Sequence, residues 1–346
     1  MRKYSKELDF DKLMLITEGH AAFQLLWAGT QLGVFDTLAA QPNLSLPELA
    51  DKLGLVVQPA RILMTGLAAV GLVTVEEGKY TIPDLVRTHL VTNSKESIVP
   101  ILGWQHHIVY KGLVDFVDSL KQNRNVGLRH FPGDGETLYQ RLVSHPKIEQ
   151  VFQDAMSSLS NQANPSLVEV LDLSGTTHMM DVGGGDGTNA IALARKYPHI
   201  KATVFDSESV CRLAAENIAQ HELSDRIDTY VGDLFSTPYP TGLDAIIYCH
   251  MFTIYSPDKN QQILRKTAEA LPSGGKAIIF NMMGNDEDDG PVSTALGSPY
   301  FQAIATGEGM LYSWQDYENW LRAAGFRTFE RITDLPMDHG VFVATK

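Results

Sequence analysis

The stretch HMMDVGGGDGTNAIALARKYPHIKATVFD, residues 178–206, decides the fold. A short apolar run leads into a cluster of glycines. A run at helical spacing follows, and a second apolar run ends on Asp206. This is a strand, a turn, a helix and a strand, the unit from which parallel sheets are built. Glycine lets backbone approach a ligand closely, and the helix that follows offers unpaired N–H groups. Gly183, Gly184, Gly185 and Gly187 supply the turn. A carboxylate after the second strand suits the two hydroxyls of a ribose.

Further apolar runs follow in IDTYVGDLF, LDAIIYCHMF and GGKAIIFNMM. Helical stretches such as TNAIALARKY and NQQILRKTAEAL lie between the runs, so a doubly wound sheet is expected. The closing pieces FRTFERITDL and HGVFVATK read as an antiparallel hairpin. VGDLF sets Gly232, Asp233 and Leu234 near the same sheet edge as Asp206. An acid with an apolar neighbour suits the amino group and ring of adenine. GGGDG itself lacks the last glycine or alanine of a dinucleotide fingerprint, because that position is Asn189. The glycines together with Asp206 and Asp233 therefore point to an adenosyl ligand rather than a dinucleotide.

Toward the amino terminus the pattern is helical. LMLITEGHAAFQLLWAGTQLGVFDTLA keeps apolar residues at helical spacing. Ser45 and Glu48 form a capping box, with Pro47 in the first turn. PARILMTGLAAVGLV is an apolar helix, and LVTVEEGKYTIP alternates around a Glu-Gly-Lys turn. Helices followed by a hairpin suggest a winged-helix unit. Its third helix carries one arginine and is otherwise apolar, so it calls for burial rather than a phosphate groove.

The chain has 346 residues and a formal net charge of −13. That charge opposes binding to nucleic acid or to an anionic membrane. The two cysteines, Cys211 and Cys249, form no CxxC, so no zinc knuckle or disulfide framework is expected. The first residues lack an apolar run, and no stretch of about 18 apolar residues occurs. The cytoplasm is the expected location.

MMDVGGGDGTNAIALARKYPHIKATVFD, DRIDTYVGDLF, LPSGGKAIIF, WLRAAGF and LGVFDTLA together resemble the small-molecule S-adenosylmethionine-dependent O-methyltransferases, such as the caffeate and the bacterial polyketide and phenazine enzymes. The resemblance covers nearly the whole chain. It implies an α/β fold: a doubly wound, Rossmann-like methyltransferase domain behind a mainly α-helical, winged-helix-like dimerisation domain. The expected divisions are 1–100 for dimerisation, 101–165 for linking helices over the substrate and 166–346 for the cofactor domain. The implied cofactor is S-adenosylmethionine, and the implied partners are a small-molecule acceptor and a second copy of the chain. Gly183 and Gly185 would approach the methionine part of the cofactor. Asp206 would bind the ribose, with Asp233 and Leu234 flanking the adenine. Asp181, Ser207, Gly232 and Cys249 complete the expected cofactor set. Cys249 stands where many relatives carry a lysine or arginine.

The resemblance also implies a histidine base followed by an acid after the fourth strand. In CHMFTIYSPD those positions fall on Thr253 and Ile254. A threonine hydroxyl is far too weakly acidic to serve as a base near neutral pH. The two supporting acids fall on Asn281 and Leu311. Base-assisted phenol methylation is therefore not expected. Three readings remain. An enolisable carbon, an activated aromatic carbon or an amine attacks without a base; another base serves, from His250, His106, His107 and His20; or the fold binds the cofactor and catalyses a rearrangement or decarboxylation. Carbon or nitrogen methylation is favoured, and no metal is expected because the His-Asp pair that would hold one is replaced. His107 shares a helical face with Tyr110 and Lys111, whereas His106 points about 100° away. Catalytic candidates are His250, His107 and Thr253. Trp104, His106, Met156, Phe252, Thr253, Tyr300 and Met310 are expected around a flat or apolar acceptor.

Overall fold

The computed structural model describes residues 7–346. They divide into two compact units. One holds the described residues up to Lys111 together with His145–Gln162, and the other holds Gly112–Ser144 and Ala163–Lys346. The segment 101–165 is thus shared between the units.

In the first, helical unit the capping box forms. The Ser45 backbone N–H donates to Glu48 Oε2 at 2.7 Å and opens the helix Leu46–Lys52. The helix Val57–Ala69 buries Ala60, Leu63, Met64 and Leu67, a stripe at i, i+3, i+4 and i+7. That stripe joins Val34, Phe35 and Leu38 in the core of this unit. Strands β1 (Leu44–Ser45), β2 (Thr74–Glu76) and β3 (Lys79–Thr81) form an antiparallel sheet in the order β1-β3-β2. Helices and hairpin match the winged-helix expectation, and the apolar third helix is spent on the core.

The second unit is built on seven strands: β4 (His178–Val182), β5 (Lys201–Asp206), β6 (Ile227–Val231), β7 (Ala245–Cys249), β8 (Lys276–Met282), β9 (Thr328–Ile332) and β10 (His339–Thr345). Their order is β6-β5-β4-β7-β8-β10-β9. The first five are parallel, and β10 runs antiparallel to β8 and β9. This is the expected doubly wound sheet with its closing hairpin. Neighbouring residues alternate between two cores. Met180, Ile246, Tyr248 and Ile279 pack on one face, and Met179, Ile247, Ile278 and Phe280 on the other. A parallel strand covered on both faces reads as a continuous apolar run, which is why β7 and β8 are legible as AIIYC and AIIF. No helix among the described residues is long and apolar enough to cross a membrane.

Candidate active site

Strand order reverses between β4 and β7, so the crevice beyond their carboxyl ends is the natural ligand site of this sheet. The glycine turn lies there. Gly183 has φ +68°, and its N–H donates to the Phe205 carbonyl at 2.8 Å. A Cβ at Gly183 would stand 2.3 Å from Met251 Sδ, and the left-handed backbone itself favours glycine. Gly187 caps the helix Thr188–Lys196, whose first N–H groups open toward the turn.

Asp206, the last residue of β5, is half-buried. Its carboxylate accepts from the Gly185 N–H at 3.2 Å and the Ser207 N–H at 2.7 Å. It therefore holds the glycine turn to the second strand while keeping acceptor capacity for hydroxyls. Asp233 Oδ1 accepts from the N–H groups of Phe235 and Ser236 and from the Ser236 hydroxyl, at 2.9–3.0 Å. Those bonds, the Ser236 hydroxyl first, lower its pKa. Lys266, which sequence reasoning missed, donates to the Leu234 carbonyl at 2.6 Å and lies 3.9 Å from the centre of the Tyr239 ring. The turn expected to face adenine is thus fastened from both sides.

Asp181 is fully buried beneath the turn, and neither carboxylate oxygen meets a hydrogen-bond donor among the described residues. Burial, then the charges of Asp206 and Asp186, push its pKa up to about 7. Cys249, on the neighbouring strand, has its thiol pKa raised by burial and by Asp181. An unpartnered buried carboxylate here, with no lysine or arginine at 249, favours a cationic ligand above it. Glycine turn, ribose acceptor and a buried carboxyl that a nearby positive charge would ionise together fit S-adenosylmethionine.

The turn after β7 departs from expectation. Phe252 is wholly enclosed, with its ring centre 4.8 Å from that of Tyr248, so it is core rather than pocket lining. Thr253 is 3% exposed, and its hydroxyl is directed at the His250 carbonyl, 3.5 Å away. Asn260 donates to the Phe252 carbonyl at 2.9 Å, Thr306 to that of Ile254 and Tyr312 to that of Tyr255, both at 2.7 Å. Gly309 closes over the turn so tightly that a Cβ there would lie 2.0 Å from the Thr253 carbonyl oxygen. Thr253 is therefore a packed turn residue, and its candidacy as a catalytic or lining group is corrected. Asn281 is likewise buried, its Oδ1 accepting from the Met282 N–H and its amide directed at the Tyr317 hydroxyl. Leu311 is buried too. Tyr300 is buried with its hydroxyl paired to Tyr139, whereas Met310 is exposed.

Trp104, His106, His107 and Met156 belong to the helical unit. Residues Gln105–Val109 form a π-helical turn, which upsets the α-helical phase assumed for the two histidines. Both rings consequently meet Trp27. His106 stacks on it at 4.6 Å and 16°, and His107 meets it edge-on at 5.6 Å. Burial, then charge on neighbouring groups, lowers both pKa values. His20 is exposed beside Glu18.

This sheet, with a nucleoside cradle at its reversal point, is that of an S-adenosylmethionine-dependent methyltransferase. Residues 110–327 match the model of the O-methyltransferase domain, and residues 14–92 match the O-methyltransferase dimerisation domain. An L-tyrosine C(3)-methyltransferase of Streptomyces lavendulae is 44% identical over 343 residues, covering 98% of this chain and 93% of that protein. Among solved structures, the S-adenosylmethionine-dependent methyltransferase SibL in its apo form superposes with a TM-score of 0.89 at 36% identity, covering 98% of this chain and 99% of that one. Human N-acetylserotonin methyltransferase in complex with S-adenosylmethionine gives 0.79 at 25%, covering 99% of each chain. The chain belongs to the O-methyltransferase family.

Proposed function

We propose that this enzyme transfers the methyl group of S-adenosylmethionine to a ring carbon of a small phenolic metabolite of the tyrosine type. The observation that carries the choice of carbon is the filled turn at Thr253. Where the family resemblance implies a histidine base and supporting acids, this chain has a packed threonine, a buried asparagine and a buried leucine. The similarity to an L-tyrosine C(3)-methyltransferase supports the same choice. The cofactor supplies an electrophilic methyl on a positively charged sulfur. Gly183 and Gly185 admit its amino-acid part, Asp206 takes the ribose hydroxyls, and the turn at Asp233 and Leu234 borders the adenine. A phenol activates its ortho carbons by itself, so holding the acceptor in line supplies most of the acceleration: the S–CH3 bond breaks as the ring C–CH3 bond forms, S-adenosylhomocysteine departs, and the proton on the methylated ring carbon passes to water as aromaticity returns. Met310, exposed in the cofactor-binding unit, is proposed to border the acceptor. The dimerisation match, and the apolar side chains that the helix Phe10–Thr17 leaves exposed, support a homodimer.

Restoring the family base at position 253 is expected to fail. Thr253→His forces an imidazole into a closed turn and costs roughly 1–3 kcal/mol of stability. Thermal unfolding reads that loss. Mass spectrometry of phenolic acceptors incubated with S-adenosylmethionine should show one added methyl with the parent protein. No new O-methyl product should appear with Thr253→His, and a folded variant that makes one would refute the packed-turn account.

A further inference from the structure

His250 follows β7 in the left-handed region, φ +56°, with its N–H donating to the Phe280 carbonyl at 2.9 Å. This backbone turns the imidazole toward β8 and β10. Its ring centre lies 5.2 Å from that of Phe280 and 5.1 Å, edge-on, from that of His339. The two histidines are 89 positions apart in sequence, and their Nε2 atoms stand 3.0 Å apart. Such a pair can be joined only if one nitrogen carries a proton and the other does not.

The far side of His339 decides which. Its Nδ1 lies 3.0 Å from the Pro336 carbonyl oxygen and 3.1 Å from that of Met337. Carbonyl oxygens only accept, so Nδ1 of His339 holds the proton. In the neutral ring Nε2 is then bare and accepts from the His250 Nε2–H. A neutral His250 with its proton on Nε2 has a bare Nδ1, and no donor among the described residues meets that atom. Both rings stay neutral near pH 7. Burial foremost pushes His250 down to about 3 and His339 to about 4.

We propose that His339 is a positioning residue, whose bond to His250 Nε2 locks the tautomer in which His250 offers its bare Nδ1 to the hydroxyl of the phenolic acceptor. This rests on the reading of the acceptor given above. An imidazole that accepts the O–H bond pushes electron density into the ring carbons ortho to the oxygen. An imidazolium in the same place could only donate to that oxygen and would withdraw density. A locked acceptor is thus what carbon alkylation needs, and it works without a strong base.

The test begins with the ligand-free protein labelled with 15N at histidine, with His250→Asn used to assign the His250 signals. His250 should show a protonated Nε2 and a bare Nδ1 between about pH 6 and pH 8. In His339→Leu the lock is lost, so His250 should populate both tautomers. That variant should lose roughly 10- to 100-fold in kcat with the phenolic acceptor, while KM for the cofactor stays within about twofold. His339→Gln, whose side-chain oxygen can accept the same bond, should recover most of the loss. A proton on Nδ1 of His250, a cationic His250 at neutral pH, or an unchanged kcat in a folded His339→Leu protein would overturn the proposal. The tautomer is read without substrate. The locked tautomer found together with a methoxy product would instead overturn the carbon-methylation reading, and with it the role given to Nδ1.

Discussion

Asp206→Ala weakens S-adenosylmethionine binding by roughly 100-fold, measured by calorimetric titration, while the sheet stays folded. The size follows from what the carboxylate does. It accepts from Gly185 and Ser207, so it ties the glycine turn to the end of β5. It also offers acceptor capacity to the ribose hydroxyls. Hydrogen bonds to a charged group are worth roughly 1.5–3 kcal/mol each, and alanine removes both functions at once. Asp206→Asn keeps one acceptor oxygen and should fall between. A loss of less than about threefold in Asp206→Ala would remove Asp206 from the cofactor site.

Asp181 yields the second large effect, read as stability against pH. Its carboxyl has a folded-state pKa of about 7 against an ordinary 3.8. The folded protein therefore holds this proton more tightly than the unfolded chain. That contribution is complete below about pH 4 and is lost as pH rises through about 7. The loss amounts to roughly 2–4 kcal/mol. Asp181→Asn removes it. Relative to the parent, the ligand-free variant should gain stability from about pH 4 to about pH 7 and level off by about pH 8 in denaturant titrations. The difference between the two proteins is what is read, because His250 and His339 titrate alike in both and act with the opposite sign. A difference that does not change with pH would show that Asp181 has an ordinary pKa.

Much of this architecture is legible because it repeats locally. The two-faced strands, the capping box at Ser45 and Glu48, the Lys79 hairpin and the apolar stripe of Val57–Ala69 each depend on residues close in sequence. The cofactor crevice is legible for the same reason, since each strand announces its own carboxyl end with Gly183, Asp206 or Asp233. The acceptor side is not. Thr253 is closed in by Asn260, Thr306, Gly309 and Tyr312, and no nearby residue signals that burial. The π-helical turn at Gln105–Val109 leaves no pattern that separates it from an ordinary helix, so α-helical spacing alone does not fix the facing of His106 and His107. His339 carries no motif, and β10 alone brings it to His250.

The atom that receives the methyl group separates carbon methylation from the family's oxygen chemistry. Incubating the enzyme with L-tyrosine and S-adenosylmethionine carrying a 13C-labelled methyl, and recording the carbon NMR spectrum of the product, tests this directly. Carbon methylation gives an aryl-methyl resonance and the loss of one ring proton ortho to the hydroxyl. A methoxy or N-methyl resonance, with every ring proton retained, would contradict it.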